Sequence, residues 1–241
     1  MYKNIELINT IKHKDAIVKD VDDLSFASKL VSSPITVREF FEACKDYPIV
    51  FAKDSNNEWL ATVMLGFKEN ENLFIDKDTN KWANKKYIPA SIRRYPFVFV
   101  NNPQNPNELS LGIESEFLST ADEKNSDKTN NKKLFVNDDK DQTTNSEFLN
   151  NVLAFLNEFQ NDAVATTQFI KQLDEWGVLE EKTATINTPN NEAYNINGMF
   201  IINEDKLKHL SKKKQDDICS KNAIPLITAH LISLSNIARL G

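Results

Sequence analysis

Apolar positions recur at helical spacing in TVREFFEACKD, residues 36 to 46, where Val37, Phe40, Phe41 and Cys44 share one side and Thr36 stands three residues before Glu39. That pairing is a capping box, so a short amphipathic helix is predicted there, its aromatic side on the core and its end set by Pro48. The period then shortens. YPIVFAKDSNNEWLATVMLGF is two β-rich runs around the polar turn DSNN, which predicts an antiparallel hairpin. Its second run is apolar at nearly every residue from Trp59 to Phe67, as suits a strand covered on both faces. NLFID (72 to 76) is a third strand candidate, and PFVFV and ELSLGIE, separated by NNPQNPN, supply two more. No gap before residue 80 is long enough for a helical crossover, so an antiparallel or mixed sheet is expected.

Helical periodicity dominates after residue 146. SEFLNNVLAFLNEFQ places Phe148, Val152, Phe155, Leu156 and Phe159 on one stripe behind Ser146 as N-cap. DAVATTQFIKQLDEWG continues from Val164 through Phe169, Leu173 and Trp176 to Gly177, and the two together read as a helical hairpin. EKTATINTPNNEAYNINGMFIINE alternates around PNNE, predicting a β-hairpin over about 182 to 202. A helix is expected from Asn203 or Glu204, then a basic run at 212 to 214. The closing helix, IPLITAHLISLSNIARL, is apolar almost all round and is expected to be buried or docked in a groove. Between the halves, STADEKNSDKTNNKK (119 to 133) has no large apolar side chain to offset the entropy of ordering it, so it reads as a mobile loop. LFV at 134 to 136 is an apolar island with the look of an edge strand, and NDDKDQTTN after it is polar again. The fold class is α+β: a β-rich part over 1–118 with a mostly antiparallel (or mixed) sheet, a polar loop over 119–145, and a helix-rich part over 146–241, joined in one composite domain.

Composition narrows the function classes. With 241 residues and 40% hydrophobic positions the chain can bury a sizeable core, and 29 basic against 35 acidic residues, net −6, argue against a general nucleic-acid binder held by phosphate contacts. Cys44 and Cys219 match no metal-ligand or disulfide spacing. The charged N-terminus resembles neither a secretory signal nor an anchor, and no run of about 18 apolar residues occurs. A cytoplasmic protein without a membrane span is expected, reaching the surface, if at all, by a route that needs no N-terminal signal. No GxSxG, HExxH, Walker A or dinucleotide fingerprint is present, and five glycines leave little for a phosphate-cradling loop. No catalytic residue, metal or cofactor is assigned, and the chain leans away from enzymes. His230, alone on the apolar closing helix, is expected to be hydrogen-bonded in the core or at its rim.

The densest chemistry lies in YIPASIRRYPFVFV, residues 87 to 100. Arg93 and Arg94 stand between Tyr87 and Tyr95, at a bend bounded by Pro89 and Pro96. A guanidinium is a planar fork of donors suited to carboxylates and phosphates, and tyrosines beside it supply a stacking wall and hydroxyls, so the stretch suits an anionic ligand or a peptide terminus. Upstream, ENENLFID contributes Glu71 and Asp76 without the spacing of a calcium loop, and Trp82 follows shortly. The candidate ligand-binding set is Arg93, Arg94, Tyr87, Tyr95, Asp76, Glu71 and Trp82. The plainer alternative pairs one arginine with Asp76 or Glu71 and leaves the prolines to fix a turn.

YPIVFAKD, ATVMLGF, ENENLFID, YIPASIRRYPFVFV, LSLGIE, LFV, the helices ending in WGVLE, INGMFIINEDKLKHL and AHLISLSNIARL, from about residue 46 onward, resemble the SapC family of bacterial proteins. YIPASIRRYPF with ENENLFID upstream is the specific part. The chain departs from the pattern in its Asn- and Lys-rich loop at 119 to 147 and in Ser115 after GIE. The resemblance implies an accessory of surface-layer protein display or export, with a surface-layer or exported protein as partner, and it supplies no catalytic residues to carry over. Two alternatives remain at this point: an enzyme of unfamiliar type that holds an anionic small molecule or peptide on Arg93 or Arg94 with Asp76 or Glu71 as base, and a lattice subunit, against which the lack of any repeat counts.

Overall fold

The structure is a computed structural model and describes residues 1–102, 105, 108–120, 132–137, 142–187 and 193–240. It is α+β with antiparallel sheets, and the chain forms two compact units, each made of two separated segments. Met1–Phe26 and Arg93–Phe159 make the first, Ala27–Ile92 and Gln160–Gly241 the second.

In the first unit, strand Leu109–Glu114 lies between Ile5–Leu7 and Phe97–Asn101. A second small sheet sets Ala16–Val18 between Leu118–Thr120 and Lys132–Lys133, and Phe135–Asn137 pairs with Thr143–Asn145. Buried Glu114 accepts the backbone N–H groups of Lys3 at 2.6 Å and Asn4 at 2.8 Å, which ties the N-terminal strand down. Val18, Phe97, Ile113 and Leu134 form the core with Leu149 and Leu156 of the long helix, and Phe148 and Val152 of the stripe read from the sequence pack against it. Ser146 caps that helix as expected: its hydroxyl accepts from Leu149 N–H at 3.0 Å and donates to the Lys133 carbonyl at 2.6 Å. Part of the stretch read as a polar loop is therefore strand, and LFV is paired. The rest of that loop, 121–131 and 138–141, lies outside the described residues.

The second unit centres on a five-stranded antiparallel sheet in the order Leu179–Asn187, Ala193–Ile202, Ile49–Lys53, Trp59–Met64, Ser32–Ile35. The predicted hairpin at its centre is present, and Trp59–Met64 is covered on both faces, as its nearly continuous apolar run suggests. NLFID is not a strand. Only an isolated bridge, Ile75 to Trp82, forms there, because the buried Asn72 amide takes the place of ladder partners: it donates to the Ala27 carbonyl at 3.0 Å and accepts from Phe74 N–H at 2.9 Å. Gly66 lets this segment lie close, since a Cβ built there would stand 2.2 Å from the Glu71 carbonyl oxygen. Gly66→Ala must push backbone against backbone, and we expect a loss of about 1–3 kcal/mol, read as a lower urea midpoint.

The helix read at 36 to 46 is a 3-10 turn, Val37–Glu39, running into a single α-turn, Phe40–Ala43. One turn cannot aim adjacent residues the same way, so Phe40 is fully buried while Phe41 stays 50% exposed. The expected helical hairpin is instead one helix, Glu147–Trp176, of 30 residues. No glycine or proline interrupts Asn161 and Asp162, and the helix stops at Gly177, whose φ of +76° ends it. The later β-hairpin forms, starting at Leu179, with its turn residues 188–192 outside the described residues. Asn203 caps Glu204–Lys208 by accepting from Lys206 N–H at 2.9 Å, and the basic run opens helix Lys212–Ser220. The closing helix, Ile224–Ser233, buries one face only, with Ile224 50% and Ile232 57% exposed. On the buried face His230 accepts from Ile202 N–H through Nε2 at 3.0 Å and stacks on Phe51. Burial lowers its pKa to about 4.

Candidate functional site

The segment leading to the arginines is fastened from below by one carboxylate. Glu39 is only 5% exposed. Its Oε1 accepts from the Tyr87 hydroxyl at 3.0 Å and Ala90 N–H at 2.7 Å, and its Oε2 from Thr36 N–H at 2.8 Å and the Thr36 hydroxyl at 3.1 Å. The capping box is thus formed, and the same side chain also holds YIPAS. Asp46 accepts Tyr87 N–H at 2.9 Å, and Trp82 Nε1 donates to the Tyr47 hydroxyl at 3.0 Å, which itself donates to the Tyr87 carbonyl. Tyr87 and Trp82 are engaged in holding this corner. Glu71 pairs with Lys77 at 2.8 Å, and Asp76 accepts from the Thr79 hydroxyl at 2.7 Å and its N–H at 2.8 Å. The Lys77 bond and the Thr79 bonds hold these two carboxyls below their ordinary pKa, which makes both weak bases.

From Arg93 the chain belongs to the first unit. The Tyr95 ring stacks on Phe26 at 3.8 Å, meets Phe117 edge-on, and its hydroxyl donates to Glu116 at 3.3 Å. The Arg93 guanidinium lies 5.5 Å from the centre of the Phe155 ring and that of Arg94 5.0 Å from Phe159, so the long helix presents a ring to each. Arg94 also hydrogen-bonds the Tyr2 hydroxyl, which donates to the Phe97 carbonyl at 2.7 Å; burial pushes the Tyr2 phenol up to about 12. Arg94 Nε is buried and has no hydrogen-bond partner. Both arginines and Tyr95 border a cavity of about 430 Å³ together with Lys19, Lys132 and Asp20. Lys132 pairs with Asp20 and sits 5.7 Å over the Phe148 ring, while Phe97, Val152 and Leu156 supply apolar wall.

A family model described as SapC matches residues 8–240. The chain belongs to the SapC family. Every residue of the arginine cavity falls inside the SapC match, including Lys19 and Asp20, which precede the motifs that begin near residue 46. No curated protein and no solved structure matches this SapC chain.

Of the seven candidates, Arg93, Arg94 and Tyr95 line the cavity of the first unit; Tyr87, Trp82, Asp76 and Glu71 belong to the second. Sequence reading missed Lys19, Asp20 and Lys132. The available signals were the KK pair before LFV and the phenylalanine stripe at 148, 155 and 159, which serves the arginines as well as the core. The second unit of this SapC chain holds a larger hollow of about 580 Å³ on its sheet, floored by Val50, Ala52, Thr62 and Met64 and edged by Lys29 and Glu69, one charge of each sign. Among the described residues no group of three His, Cys, Asp or Glu is placed to hold a metal, and no helix is long and apolar enough to cross a membrane.

Proposed function

We propose that this SapC-family chain is a non-catalytic binding protein, an accessory of surface-layer protein display or export, which recognises an anionic group on a polypeptide through Arg93 and Arg94. The supporting observation is the cavity: four basic side chains and one acidic side chain border it in a chain whose net charge is −6. Such a concentration of positive charge over apolar wall, in an otherwise acidic molecule, favours an anion there and disfavours one elsewhere on the surface. The rings of Phe155 and Phe159 keep the guanidinium planes in place, so little side-chain freedom is lost when an anion docks.

The test is capture from the native bacterium with the wild-type chain and with Arg93→Ala plus Arg94→Ala, identifying what is retained. A surface-layer or exported protein is expected on the wild type, reduced tenfold or more on the double variant, for a loss of about 1.4 kcal/mol or more. Circular dichroism must show the variant folded. Undiminished capture by a folded double variant overturns the proposal.

A further inference from the structure

We propose that the hollow on the sheet of the second unit takes an extended, uncharged stretch of polypeptide, which adds as a strand to the open edge of Ala193–Ile202 and turns alternate side chains onto Val50, Ala52, Thr62 and Met64. None of the residues bordering this hollow belongs to the arginine cavity.

The sheet forks at this point. Ile49–Lys53 and Ala193–Ile202 share a single pair, Phe51 with Phe200, although the second strand is 10 residues long. Phe200 turns its main-chain groups toward Phe51, and Ile202 turns its N–H toward His230 Nε2 at 3.0 Å, so every second residue here faces away from Leu179–Asn187. A bulge then sets Asn197 and Gly198 opposite Thr183, with Gly198 at a φ of +73°. The extra residue passes the outward role to Asn195 and Ala193. Among the described residues no strand pairs with them on that side. Asn195, Asn197 and Gly198 border the hollow of about 580 Å³, and a Cβ built on Gly198 would meet nothing within 4 Å, so the space beside this edge is open.

The floor and the rim select the occupant. Val50 stands opposite Thr62 in the central hairpin, with Ala52 and Met64 two residues further along their strands, so all four side chains point to one face. The Thr62 hydroxyl already donates to the Ser33 carbonyl at 3.0 Å, which leaves the floor suited to apolar groups. Met199 and Ile196 carry the apolar lining up to the open edge. Lys29 and Glu69 give the rim one charge of each sign, so the hollow as a whole is neutral and favours neither an anion nor a cation. A compact apolar molecule would cover the floor and leave the main chain of Asn195 to water, and a helix has its own main-chain groups bonded internally. An extended segment meets both surfaces at once: its main chain bonds the edge and its alternate side chains fill the floor.

Isothermal titration calorimetry on the full chain tests this with N-acetylated, C-amidated Ser-Val-Ser-Val-Ser-Val and two versions of it, one N-methylated at its serines and the other at its valines. The parent peptide is expected to bind with a Kd below about 1 mM, and one of the methylated versions at least tenfold more weakly, because alternate amides line one edge of a strand. Ala52→Glu puts a charge on the half-buried floor and is expected to weaken the parent tenfold or more while the thermal midpoint stays within a few degrees. Arg93→Ala with Arg94→Ala is expected to bind the peptide as wild type does, so failure of the arginine role leaves this inference standing. No binding of the parent at about 1 mM, equal affinity of all three peptides, undiminished binding by a folded Ala52→Glu, or loss of binding in a folded arginine double variant overturns it. The methylated pair decides the matter even if Ala52→Glu does not fold.

Discussion

Glu39→Ala is expected to cost the second unit about 3–5 kcal/mol, the largest loss of any single side chain in the corner that holds Tyr87 and Ala90. Four donors converge on this one carboxylate, from Thr36, Tyr87 and Ala90, and removing it leaves buried N–H and hydroxyl groups without acceptors. Glu39→Gln keeps one acceptor oxygen and should lose roughly half as much. The measurement is direct, because all three tryptophans, Trp59, Trp82 and Trp176, lie in the second unit, so tryptophan fluorescence in urea reports its unfolding. A midpoint for Glu39→Ala within about 0.5 kcal/mol of wild type would remove Glu39 from this role.

The second large effect is an acid-side loss of stability from His230. Its folded pKa of about 4 lies below the ordinary 6.5, so the unfolded chain binds the proton more readily. The stabilising contribution is complete above about pH 6.5 and is lost as pH falls toward 4, roughly 3 kcal/mol in all and about 2 kcal/mol by pH 5. Glu71, Asp76, Glu180 and Asp217 have lowered pKa values through their bonds to Lys77, Thr79, Lys182 and Trp176, so their contributions disappear only below the ordinary carboxyl range. The interval from pH 7 to 5 therefore isolates the histidine. Tryptophan-monitored urea midpoints should fall across that interval for wild type and change much less for His230→Leu; equal slopes in the two would sink the assignment.

The same residues show what sequence can and cannot carry. The capping box, the hairpin around DSNN, the cap at Ser146 and the stop at Gly177 were legible because each is a local rule, set by side chains within a few positions. NLFID failed as a strand because its fate depends on Asn72 meeting the Ala27 carbonyl 45 positions away. The helical hairpin failed because two consecutive stripes cannot announce whether a bend lies between them. The arginines stood out by density, yet Lys19 and Lys132 did not, since nothing local marks a lysine that will arrive beside a guanidinium from another segment. The division of the candidates between two units follows from the chain crossing over after Ile92, which no periodicity records.

That crossing has a consequence during synthesis. Neither unit can close on the first 92 residues: the first waits for Arg93–Phe159 and the second for everything from Gln160 onward. As the nascent chain lengthens, the first unit acquires its full set of strands early, while Ile49–Lys53 must keep one edge bare until Ala193–Ile202 has been made. A growing polypeptide in that condition is a template for pairing with its neighbours on the same message, so slowing translation between those two strands should raise aggregation of newly made chains.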